Sequence, residues 1–181
     1  MKKIIVISAF MLSVIISMAQ GSGRQNAVKL NPLSLIFMTG NVSYERAINA
    51  NQSIQIGGFY SGLSIGGIEY KGYGGTAEYR LYFAGQKKAM NGVYAAPFVR
   101  YQSFNLSEKE TTNETTFSSY GGGAILGWEK SWKSGFVLDL FAGPSYNVGK
   151  FKNENDEATF NLKGGINGFG VRTGIALGFA F

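Results

Sequence analysis

The chain has 181 residues, neither histidine nor cysteine, and a formal charge of +6. That composition excludes a disulfide framework, a lipoprotein acylation site and any catalyst or metal centre built on His or Cys. Glycine is abundant at 26 residues, and each glycine inside a helix costs about 1 kcal/mol, so the composition points away from helices.

The N-terminus reads as a cleavable signal peptide over residues 1–19. Lys2 and Lys3 form a basic start, residues 4–16 are apolar apart from Ser8 and Ser13, and Ser17 and Ala19 are small residues before an expected cut after Ala19. The apolar run is shorter than the roughly 20 residues a spanning helix needs. Cleavage would leave fifteen basic and eleven acidic residues, a net charge of +4. No basic run exceeds Lys87-Lys88, so nucleic acid is not an expected partner. Residues 20–27 read as a short periplasmic tail and 28–181 as one domain.

Downstream the chain alternates with period two, the signature of strands. Strands are expected near 52–63, 73–83, 92–104, 116–130, 135–149 and 168–181. The last is the clearest. Phe169, Val171, Thr173, Ile175, Leu177, Phe179 and Phe181 share one face, against Gly170, Arg172, Gly174, Ala176, Gly178 and Ala180. A bulky apolar face opposite a small face suits a lipid-facing exterior and a crowded interior. After residue 19 no apolar stretch is long enough for a membrane helix, so membrane residence would require a closed barrel.

Connection lengths give the topology. Short connections are expected at 49–51, 84–91 and 131–134, and long polar ones at 64–72, 105–115 and 150–167. They alternate, as periplasmic turns and external loops do in outer-membrane barrels. The same alternation divides 28–48 into two strands at a tight turn, Thr39-Gly40. The expectation is an all-β, eight-stranded antiparallel up-and-down transmembrane β-barrel. Tyr44, Phe83, Trp128, Trp132, Phe136, Phe179 and Phe181 would form one interfacial belt. Tyr60, Tyr73, Tyr120 and Tyr146 would form the other.

Parity also sorts the charges. Lys29, Glu45, Glu78, Arg80, Arg100, Glu129, Asp139 and Arg172 fall on the inward face, four cations against four anions. An eight-stranded bore is just wide enough for side chains to fill. An unpaired charge there would cost several kcal/mol, so the set is expected to pair into a network that closes the bore. The competing reading is a narrow ion path or an acid–base carboxylate pair, for which no substrate cavity is indicated. Gly121-Gly122-Gly123 and 165–170 lack the context of a nucleotide-binding loop and are read as strand bends. The cluster 153–157 matches no calcium-loop spacing and is read as a solvated loop tip. No cofactor, metal or enzymatic activity is expected.

The signal peptide, the turn alternation and the terminal Leu177-Gly178-Phe179-Ala180-Phe181 resemble small outer-membrane barrels of the OmpA/OmpX kind. Lys29-Leu30-Asn31-Pro32-Leu33 with Asn41-Val42-Ser43-Tyr44-Glu45 is similar to uncharacterised barrels grouped as a domain of unknown function. The resemblance spans 28–181. It implies insertion in outer-membrane lipid, with Phe181 read by the barrel-assembly machinery. Enzymatic outer-membrane barrels resemble one another in using a catalytic histidine, which is missing here. The functional expectation is a non-enzymatic structural or surface-interaction barrel, with partners at loops 105–115 and 150–167. The alternatives are a small channel for ions or hydrophobic solutes and a soluble periplasmic lipocalin-like barrel.

Overall fold

Extended backbones need a hydrogen-bonding partner on each side, and eight strands satisfy one another by closing on themselves. The computed structural model describes residues 24–36, 38–65, 68–108, 114–153 and 168–181. The elements in chain order are β1 (Asn26–Leu30), α1 (Pro32–Ile36), β2 (Thr39–Asn49), β3 (Gln52–Ile65), β4 (Ile68–Lys88), β5 (Asn91–Glu108), β6 (Glu114–Ser131), β7 (Phe136–Asn153) and β8 (Gly168–Ala180). All neighbours pair antiparallel in sequence order, and β1 pairs with β8 to close the barrel. Closure pairs the strand edges at one end of the barrel; β1 stops at Leu30, so among the described residues β8 meets it only over 177–180. The expected signal peptide lies outside the described residues.

Several boundaries differ from expectation. β1 begins at Asn26, inside the segment assigned to a tail. Residues 28–48 do form two strands, but no tight turn sits at Thr39-Gly40, because Thr39 already opens β2. The reversal is made earlier by α1. Pro32 takes the first helical position, where its missing N–H costs nothing. Asn31 caps it: the Ser34 N–H donates to Asn31 Oδ1 at 3.3 Å, and the Ser34 hydroxyl lies 2.7 Å from both the Asn31 and Thr39 carbonyls. Pro32 therefore disturbs the strand phase because it starts a helix.

The segment 64–72, expected as a long loop, is paired strand up to Ile65↔Ile68. β5 and β6 likewise run on to Ser107↔Glu114, which leaves 109–113 outside the described residues. Polar residues within a paired ladder look like loop composition, so the sequence does not separate these extensions from loops. The loop 150–167 is strand as far as Asn153, and 154–167 lie outside the described residues. At the opposite end β4 continues to Lys88 through register shifts between Tyr82, Ala84 and Lys88. The turn there is Ala89-Met90 alone, with Met90 in the left-handed region at φ 64 and its side chain buried. The barrel thus has a turn end, holding 50–51, 89–90 and 132–135, and a loop end.

The outer face is apolar around the barrel: Val42, Ile54, Ile56, Val99, Leu126, Leu140, Val171 and Ile175 are all exposed. Tyr60 pairs with Tyr73, Tyr101 with Tyr120 and Tyr146 with Phe169, placing exposed aromatics toward the loop end. Phe83, Trp128, Trp132, Phe136 and Phe179 are exposed toward the turn end, and the Trp132 and Phe136 rings lie 5.3 Å apart. Tyr44 is half-buried, its hydroxyl donating to Asn26 Oδ1 at 2.6 Å. Phe181 departs from the outward face assigned to it and is buried. The strand ends at Ala180; Phe181 then exchanges two backbone hydrogen bonds with Asn26, outside the parity of β8. Among the described residues no helix is long and apolar enough to cross a membrane, which says nothing about strands.

Candidate functional site: a filled bore

The interior is layered from the turn end upward. Ala27, Met90, Val137 and Ala180 form the lowest apolar layer. Above it, inward positions of β1, β2, β4, β6 and β7 bring Lys29, Glu45, Arg80, Glu129 and Asp139 together, each fully buried. Lys29 Nζ lies 2.9 Å from Glu129 Oε1 and 3.1 Å from Asp139 Oδ2, and it also contacts Glu45. Arg80 reaches further. Its Nη1 lies 2.7 Å from Asp139 and 3.2 Å from both Glu45 and Glu129, while Nη2 lies 2.7 Å from Glu78 Oε2. One guanidinium therefore bridges four carboxylates, which its fan of donors permits and an ammonium could not.

Hydroxyls complete the layer. Tyr82 Oη lies 2.7 Å from Glu45 and 2.5 Å from Glu129, and its single proton serves one of them at a time. Tyr94 donates to Asp139 Oδ1 at 2.7 Å, and Ser53 donates to Glu45. The Tyr94 ring also carries the Arg80 guanidinium carbon 4.5 Å from its centroid. That ring fills the space a side chain at position 127 would need, so Gly127 opposite it is a packing requirement. Gly123 is a second close approach, where a Cβ would press on the Pro144 carbonyl of β7.

A smaller cluster sits one level up. Arg172 Nη2 donates to Glu78 Oε1 at 2.5 Å, and the Arg172 guanidinium carbon lies 4.5 Å from the Phe98 ring centroid and 5.0 Å from that of Phe141. Arg100 faces the interior but meets no carboxylate within 4 Å among the described residues; its Nε donates to Thr76 Oγ1 at 3.3 Å. A polar cavity of about 30 Å³ lies here, lined by Arg100, Arg172, Glu78, Gln55, Thr76 and Asn31 among others. Nearer the loop end the Phe59 and Phe104 rings pack 6.0 Å apart.

Seven of the eight charges grouped by parity thus lie in one connected set, with Arg100 beside it. Tyr82, Tyr94 and Ser53 were not assigned to the site from the sequence. Tyr82 and Tyr94 share the parity of Arg80 and Arg100 respectively, which was the available signal. Met90 carried none, since its burial follows from how the hairpin tucks inward. Among the described residues no group of acidic side chains is arranged to hold a metal ion.

Residues 7–161 match the family described as Protein of unknown function (DUF3575). The chain belongs to this family. No curated protein and no solved structure matches it.

Proposed function

We propose that this chain is an exported outer-membrane barrel, akin to the small OmpA/OmpX kind, that acts as a non-enzymatic structural or surface-interaction element with a closed bore. The observation that carries this reading is the Lys29–Glu45–Arg80–Glu129–Asp139 layer, fully buried across the bore beneath a continuous apolar exterior. Ions crossing the bore would have to displace charges that already satisfy one another.

The apolar exterior supports membrane placement. From Tyr120 to Trp128 a strand rises about 27 Å at about 3.4 Å per residue. At a tilt near 40° that is about 21 Å of height, close to the roughly 25 Å apolar band of outer-membrane barrels. Exposed aromatics at both margins suit the two interfaces. In this reading residues 1–19 are a signal peptide cut after Ala19, and the turn end faces the periplasm. Phe181 is then the residue the assembly machinery reads before it is buried. Partners would meet the hairpin extensions and loops around 105–115 and 150–167. The absence of histidine and the engagement of Asp139 and Glu45 by cations and hydroxyls support the non-enzymatic reading.

Planar-bilayer recording on the purified, refolded chain tests the closed bore. Steady single-channel conductance of the intact barrel would overturn it in favour of a channel. Membrane fractionation with heat-modifiable gel mobility tests the location. A chain that stays soluble and shows no heat-dependent shift would point to a lipocalin-like periplasmic barrel.

A further inference from the structure

Among the described residues the interior charges balance, but they are not evenly spread. In the lower layer Lys29 and Arg80 face Glu45, Glu129 and Asp139, an excess of negative charge that the hydroxyls of Tyr82, Tyr94 and Ser53 help to satisfy. The level above it holds Arg172 and Arg100 with Glu78. Glu78 is fully engaged, one oxygen with Arg172 and the other with Arg80 at 2.7 Å. The cavity at this level therefore has an excess of positive charge.

Its donors lack acceptors. The Arg172 side chain is about nine-tenths buried, yet its Nε and Nη1 have no hydrogen-bond partner. A buried guanidinium with two idle N–H groups is costly, and a native structure normally supplies the missing acceptor. Arg100 is held by Thr76 alone among the described residues. Asn31 uses its Oδ1 to cap α1, which leaves its amide nitrogen as the donor end at the cavity. Gln55 is buried there with Oε1 unpartnered, and a side-chain amide can turn its nitrogen inward instead.

We propose that this cavity is a binding site for a small monovalent anion of halide size, held by Arg172 Nε and Nη1 and by Arg100. A volume of about 30 Å³ holds two or three water-sized groups, at roughly 10–15 Å³ each, which suits a small ion. Water alone would satisfy the donors but not the charge excess. The ion layer beneath seals the site on the turn side, so an anion entering from the loop end binds and returns rather than passing through. The site depends on the barrel interior and not on where the barrel resides.

Chloride NMR line broadening on the refolded full chain, in a halide-free buffer titrated with chloride, tests it. Excess linewidth that falls with added chloride as a single site fills is expected. Arg172→Gln and Arg100→Gln should each weaken binding at least about tenfold, the loss of one charged hydrogen bond. Arg46→Gln, at an exposed outward position, should leave the titration unchanged. Because Arg100 pairs with no carboxylate among the described residues, its variant keeps the test valid even if Arg172→Gln refolds poorly. Excess linewidth that is absent, or that does not change with chloride concentration, overturns the proposal. So does a loss in Arg46→Gln equal to that in Arg100→Gln.

Discussion

Replacing Arg80 with alanine removes the guanidinium that Glu45, Glu78, Glu129 and Asp139 share. What remains is four buried carboxylates facing Lys29 and Arg172. Breaking one buried pair from one side costs about 3–5 kcal/mol, because the abandoned charge stays out of water. Arg80 also packs on the Tyr94 ring, so the expected loss lies at or above the upper end, about 5 kcal/mol. Urea unfolding of the refolded chain in micelles, followed by Trp128 and Trp132 fluorescence, measures it. Arg46→Ala, outside the barrel, is the control and should stay within about 0.5 kcal/mol. The loss should persist in about 1 M salt, where the Debye length is about 3 Å and an exposed pair would be screened. An Arg80→Ala midpoint within about 1 kcal/mol of wild type would refute the buried network as the element that holds the bore.

The carboxylates should not be equivalent. Asp139 accepts from Lys29, Arg80 and Tyr94, whereas Glu129 Oε1 has no well-aligned donor although Lys29 Nζ lies 2.9 Å away. Asp139→Asn should therefore cost more than Glu129→Gln; equal midpoints in the same urea assay would contradict this ranking. Leu126→Arg, on the exposed outer face, should cost about 2–4 kcal/mol in a lipid-embedded barrel but little on a water-exposed surface, and unfolding from lipid vesicles distinguishes the two. Gly127→Ala should force the Tyr94 ring aside and cost about 1–3 kcal/mol, read as a lowered melting temperature; an unchanged value would mean the ring can move freely.

The period-two alternation of side chains was legible from residue order alone, since it depends on local backbone geometry. It placed Lys29, Glu45, Glu78, Arg80, Glu129, Asp139 and Arg172 inside, because parity needs no knowledge of which strand lies next to which. The even strand count followed from the order of short and long connections. Where strands end was less legible. In the extensions 64–72 and 105–108, composition resembles loops, and pairing is decided by the neighbouring strand. The reversal at 31–38 was hidden because a five-residue helix is too short to show a period. Only the closed barrel decided which charges meet. Register among β2, β4, β6 and β7 brings Arg80 to Glu45, Glu129 and Asp139 and leaves Arg100 with Thr76, and no spacing along the chain contains that information. The buried Phe181 belongs to the same class: it leaves the parity of β8 where it exchanges backbone hydrogen bonds with Asn26.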